Sequence, residues 1–203
     1  MYDYQLLIAG VYSSETDTWG NSILTEASDD TLFGHSTSTL VGNSLYWPAK
    51  HKGNDILEFD LRKQNLTVIK RPHGMNMNDF DNFHIIEEQD GAVGLAALSH
   101  LKLQMWQRKV NCLGVAIWLL RKTVSLSELL KIPGTVRWNE WLKLVGYDED
   151  TGAIFLTWHD VVCMVQLKSI KARRAAARVS ASYCYSFTSF YPLGDCSSLF
   201  FIS

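Results

Sequence analysis

What this chain has little of narrows the field first. It has no apolar run long enough to cross a bilayer: the longest, Val115 to Leu120, falls far short of the about twenty residues a helical span needs. Its start shows no basic stretch followed by an apolar one, so no export signal is expected. Its four cysteines, Cys112, Cys163, Cys184 and Cys196, form no C-x-x-C pair and have no histidine at zinc-like spacing, which points to reduced thiols of an intracellular protein, cytoplasmic or nuclear. Neither sign of charge dominates: 19 Lys and Arg stand against 21 Asp and Glu, leaving no global field to draw in nucleic acid or an anionic membrane. Helical stripes are scarce as well. Leu126 to Leu130 ("LSELL") is the best helical turn, and Lys168 to Arg178 ("KSIKARRAAAR") reads as a solvated, helix-prone or ragged segment, since no aromatic interleaves its charges.

What the chain does have is apolar residues at every second position. In Ile56 to Leu61, the residues Leu57, Phe59 and Leu61 fall on one face and Glu58 and Asp60 on the other. A polar turn, Arg62 to Asn65, leads into Leu66 to Ile69 as the return strand of a hairpin. Similar units recur. Val11-Tyr12 passes through the polar Ser13 to Thr18 into Trp19. Leu101, Leu103 and Met105 precede Val115, Ile117 and Leu119, with Arg121-Lys122 as a break before Thr123 to Leu126. Ala153 to Trp158 and Val161 to Leu167 flank His159-Asp160. Trp19, Leu66 and Trp118 mark a recurrence of about fifty residues, the signature of a β-propeller with one four-stranded blade per repeat; a β-sandwich also gives short alternating strands. The units account for about three to four blades where a propeller closes with about four to eight. The sequence therefore reads as an all-β, partial propeller that begins before this chain does.

His159-Asp160 sits at a turn between strands, where adjacent residues point apart, so a turn is expected rather than an acid–base pair. Glu87-Glu88-Gln89-Asp90 and Asp148-Glu149-Asp150 lack the spacing of a calcium loop; Asp148 to Gly152 reads as a hairpin turn with Gly152 at positive φ. Asp79, Asp81 and His84 in "NDFDNFH" resemble a ligand set but occupy a polar loop, and no metal or cofactor is expected. Gly91 to Leu95 has no phosphate-loop pattern. Trp47, Trp106, Trp118 and Trp158 belong with strands and suit packing between blades, whereas Trp138 and Trp141 in "VRWNEWLKL" follow Pro133-Gly134 between repeats, where an exposed aromatic pair suits a partner. Asp79, Asp81, Trp138 and Trp141 are the candidate partner-binding residues, on loops Asn76 to His84 and Pro133 to Trp141.

Six stretches in order carry a resemblance: "VYSSETDTWG", "LVGNSLYW", "ILEFDLRKQNLTVIKRP", "GAVGLAALSHLKLQMWQRK", "GVAIWLLRKTVSLSELL" and "VVCMVQLKSIKARR", closed by "YSFTSFY". Together they resemble the F-box-associated domain of plant F-box proteins of the type abundant in grasses. The resemblance implies a kelch-like β-propeller over residues 1–191, N-terminally incomplete, with 192–203 as a tail. It implies a non-catalytic receptor that selects a protein substrate for a cullin-based ubiquitin ligase, joined to the Skp adaptor only through an upstream F-box, with neither nucleic acid nor membrane as partner. Nothing before Val11 resembles an F-box. Two other readings stand beside it: a propeller-scaffold hydrolase, which requires acids converging at one end of the strands, and a truncated gene product without independent function.

Overall fold

The computed structural model describes residues 4–28, 38–48, 55–75, 83–88, 90–99, 101–131, 142–177, 184–187 and 199–202. Three four-stranded antiparallel sheets dominate these residues. The first holds β5 (Thr39–Val41), β6 (Ser44–Pro48), β7 (Ile56–Asp60) and β8 (Asn65–Ile69). The second holds β9 (Phe83–Glu87), β10 (Val93–Ser99), β11 (Lys102–Val110) and β12 (Ala116–Ser125). The third holds β13 (Leu142–Asp148), β14 (Ala153–Trp158), β15 (Val161–Gln166) and β16 (Lys171–Ala177). In each, order in space follows order in the chain. The first strands β5, β9 and β13 lie next to one another, which makes each sheet a blade and each first strand its inner edge. The fold is all-β and propeller-like, as the roughly fifty-residue recurrence suggests, and not a β-sandwich. The short helix α1 (Leu126–Leu129) follows β12 where "LSELL" predicts it.

Two partial units flank the blades. β1 (Tyr4–Ala9) pairs with β4 (Ile23–Ser28), and between them β2 (Tyr12–Ser13) pairs with β3 (Thr18–Trp19). The Gly20 N–H donates to the Val11 carbonyl at 2.7 Å, so the four strands read as one bent ribbon. At the other end β17 (Cys184–Phe187) lies beside β13 and pairs with β18 (Leu199–Ile202).

The equivalence of Trp19 and Leu66 holds in detail, but Trp118 is not their counterpart: it opposes Arg108, one pair further from a longer turn over Asn111 to Val115. Ser14 to Asp17, Leu61 to Gln64 and Leu167 to Ile170 are four-residue turns, each ending in a residue at positive φ: Asp17 at 55°, Gln64 at 49° and Ile170 at 50°. Tyr12 opposes Trp19 as Phe59 opposes Leu66. The Asp60 carboxylate accepts the Arg62 and Lys63 N–H groups at 2.9 Å, closing its turn in the way aspartates favour. The burial differs sharply, however. Leu66 is 5% exposed and Trp19 71%.

Strand burial follows a rule that the alternation in Ile56 to Leu61 did not suggest. Both faces of a blade are packed. In β9, Phe83 and Ile85 join a core with Val41, Tyr46, Ile56 and Ile69 of the first blade. Ile86 joins a second core with Leu144, Ile154 and Leu156 of the third. β10 divides likewise, with Leu95 and Ala97 in one core and Ala96 and Leu98 in the other. In β7 the buried residues are Ile56 and Phe59, on opposite faces, while Leu61 is an exposed turn residue. This two-sided burial accounts for the near-continuous apolar runs "GLAAL" and "AIFLT".

Two further expectations are corrected. Arg121-Lys122 is no break: β12 runs on through both, and the register slips there, Met105 opposing Lys122 while Trp106 opposes Leu120. Such a bulge keeps the strand paired while re-aiming its side chains. The described part of the Lys168 to Arg178 segment is not helical either. Lys171–Ala177 is a strand paired to β15, and that pairing overrides the helix preference of alanine and arginine.

Packing is tightest where the third blade meets β17. A Cβ placed on Gly146 would sit 2.1 Å from the Cys184 carbonyl oxygen and 3.0 Å from its carbon. Both are backbone atoms, so β17 itself must move. Gly146→Ala is expected to lower stability by about 1–3 kcal/mol, read as an earlier midpoint in chemical denaturation. An unchanged midpoint would show that β17 is not docked as described.

Candidate interaction surface

Topology gives the blades two rims. The turns after first and third strands lie on one rim, and the connections after second and fourth strands lie on the other. The fourth strands β8 and β12 end, and the first strands β9 and β13 begin, on the second rim, while the connections Asn76 to His84 and Pro133 to Trp141 fall largely outside the described residues. Asp79, Asp81, Trp138 and Trp141 lie outside the described residues. The His159-Asp160 turn between β14 and β15 is on that rim too. His159 adopts φ 53° and its ring meets Trp158 at 5.5 Å. It is the exposed turn that the sequence predicts.

His84 lies near the second-rim end of β9. It is the second residue of β9, opposite Ala96, hydrogen-bonds the Leu144 backbone of the neighbouring blade, and its pKa is pushed down from 6.5 to about 4 by loss of solvent. It is therefore neutral in the folded protein at physiological pH.

The first rim carries an arrangement that the sequence did not reveal. In the sequence its acids stand far apart, Glu87-Glu88-Gln89-Asp90 as one cluster and Asp148-Glu149-Asp150 in a hairpin turn. Both turns follow an inner strand, and the inner strands run side by side, so the turns meet. The Glu87 N–H donates to the Tyr147 hydroxyl at 3.3 Å. Burial raises the Tyr147 pKa, and Glu149, Glu87 and Asp148 raise it further. Glu149 is also raised, by desolvation first and then by Asp150, Glu87 and Asp148, against the lowering effect of the Leu40 N–H of the first blade. All three blades thus converge on one acidic mouth. Its turn is held by the buried Asp148, whose carboxylate accepts the Asp150 N–H at 3.1 Å and the Thr151 hydroxyl. Gly152, at φ 65°, completes the turn as expected. One signal was present in the sequence: acids recur at the same place after "FHII" and "LVGY".

This mouth suits cationic side chains of a partner through its field. Acids do converge, as the hydrolase reading requires, but no described histidine joins them. His84 sits at the opposite end of β9 with its own backbone partner. Among the described residues no three His, Cys, Asp or Glu side chains are placed to hold a metal ion. No helix among them is long and apolar enough to cross a membrane.

The tryptophans divide as their strand positions imply. Trp106 is buried in the core between the first two blades and Trp118 packs against it. Trp158 packs on the core between the second and third. Between those first two blades the buried Tyr46 hydroxyl donates to Glu58 at 2.7 Å, and Arg108 approaches the same carboxylate at 3.9 Å.

Three meander blades packed through their inner strands define a β-propeller. A comparison with protein families agrees: residues 3–193 match the family described as "F-box protein AT5G49610-like, beta-propeller". The chain belongs to that family. No curated protein matches it.

Two titrations test the rims. His84 is depressed in the folded state, so stability is full above 6.5 and is lost as pH falls toward 4. Thermal unfolding should show this slope, and His84→Gln should flatten it; a slope unchanged in the variant would refute the assignment. Glu149 is raised, so its ionised form costs stability above its folded pKa, and the cost vanishes below the ordinary 4.5. Glu149→Gln keeps an acceptor for Leu40. It should raise the melting temperature at neutral pH and give no gain below 4.5, whereas an equal gain at both would mean that charge is not the cause.

Proposed function

We propose that this chain is the substrate-recognition part of an F-box protein in a plant cullin-based (SCF) ubiquitin ligase, acting in the cytoplasm or nucleus. The observation that carries the reading is the family match, which runs through all three blades. On this reading the propeller holds a protein client and performs no chemistry, because ubiquitin transfer belongs to other subunits. Where an F-box precedes the propeller in the same protein, that F-box docks on the Skp adaptor. The second-rim loops, with Asp79, Asp81, Trp138 and Trp141, face the client. Residues 1–191 form the recognition domain, and 192–203 a tail whose strand β18 is held by pairing with β17.

The test uses the full-length endogenous protein, immunoprecipitated and probed for the Skp adaptor and the cullin. Both are expected. Absence of both would remove the ligase assignment and leave the propeller as a stand-alone interaction domain. Trp138→Ala with Trp141→Ala should leave the adaptor bound while ubiquitination of co-purifying clients falls; full client ubiquitination would move the binding face elsewhere.

A further inference from the structure

The outer strand of the second blade differs from its counterparts. β8 and β16 have five and seven residues, whereas β12 has ten. It ends its sheet, with β11 as its neighbour on one side and no paired strand on the other among the described residues. Its first half, Ala116 to Leu120, is apolar and largely exposed, with Ile117, Leu119 and Leu120 open to solvent. The hairpin leading into it adds Val110, 67% exposed, Leu113, 82%, and Val115. Asn111 holds that tip rigid by accepting the Leu113 and Val115 N–H groups at 2.9 Å.

Exposed apolar edges invite unwanted pairing, and proteins guard them with charge and bulges. Here the guards stand only on the second half, where Arg121, Lys122 and the bulge fall. Ala116 to Leu120 has neither. The edge is also fixed in place. The Trp118 indole donates to the Lys70 carbonyl of the first blade at 2.8 Å, and the Lys70 ammonium pairs with the buried Asp55 at 2.6 Å. A strand so anchored loses little freedom when a partner pairs with it.

Charge says what kind of partner fits. No Asp or Glu occurs between Asp90 and Glu128, while Lys102, Arg108, Lys109, Arg121 and Lys122 all lie on β11 and β12. Arg108 is turned to Glu58, and Lys109 to Asp90 at 3.7 Å. Lys102 and Lys122 make no ion pair among the described residues. We propose that the free edge of β12 is a docking strand for an extended segment of another protein, one that pairs by β-addition along Ala116 to Leu120 and sets acidic residues beside the basic flank. Backbone pairing supplies affinity in such docking and alternate side chains supply selectivity. This site runs along the outer edge of the second blade from the first rim and does not depend on ligase membership.

The experiment uses the chain itself with labelled seven-residue peptides, one alternating glutamate and valine and the other lysine and valine, read by fluorescence anisotropy at low salt. The glutamate peptide should bind saturably and the lysine peptide not. Ile117→Thr with Leu119→Thr, both at exposed positions, should weaken binding about tenfold, equivalent to ~1.4 kcal/mol, with thermal unfolding unchanged. Arg121→Glu with Lys122→Glu should shift preference toward the lysine peptide. Equal binding of both peptides, binding of neither, or indifference to both double variants overturns the proposal. So does a concentration-dependent dimer that the threonine variant abolishes, which would assign the edge to a second copy of this chain.

Discussion

The structure depends on β9 belonging to two cores at once. Alternate residues along a strand point to opposite faces, and β9 spends one set on the first blade and the other on the third. Phe83 and Ile85 complete the packing of Val41, Tyr46 and Ile56; Ile86 completes that of Leu144, Ile154 and Leu156. His84 follows the same logic with a polar group, reaching the backbone of the third blade in a place where a charged imidazole is disfavoured. The blades adhere because the middle one has no solvent face near the axis, and the acidic mouth is a by-product of that adhesion. Inner strands forced side by side bring their following turns together, whatever those turns carry.

Much of this was legible from residues alone. The four-residue hairpin turns, the strand runs and the short helix after β12 follow from period-two patterning and turn chemistry, which are local. The equivalence of Tyr12–Trp19 with Phe59–Leu66 was readable because each hairpin repeats the same turn length. The helix-prone reading of Lys171 to Ala177 failed because propensity is a weak prior and strand pairing is a tertiary effect. The bulge at Arg121-Lys122 resembled a break because one extra residue disturbs alternation just as a turn does. Convergence of Glu87 with Asp148 and Glu149 was hidden by their separation in sequence, since spacing within one repeat is silent about which repeats touch.

The two regions of exposed apolar surface have different origins. The opening ribbon has a blade's outer hairpin geometry without inner strands beside it among the described residues, so Trp19 stands open where Leu66 is covered. The β12 edge, by contrast, belongs to a complete blade and is anchored through Lys70, whose carbonyl receives Trp118 and whose ammonium neutralises Asp55. A residue that is mostly exposed thus ties the outer strands of two blades together. Its backbone does so as much as its side chain.

Sharing β9 between two cores also has a consequence during synthesis. Of the three blades the ribosome delivers β5 to β8 first, after the opening ribbon β1 to β4, and that sheet folds upon itself through its own hairpin turns. Its face bearing Val41, Tyr46 and Ile56 has no cover until Phe83 and Ile85 emerge. The nascent chain therefore presents a bare apolar sheet for as long as the connection to β9 takes to translate, and the second blade repeats that interval on its own far face while it waits for the third.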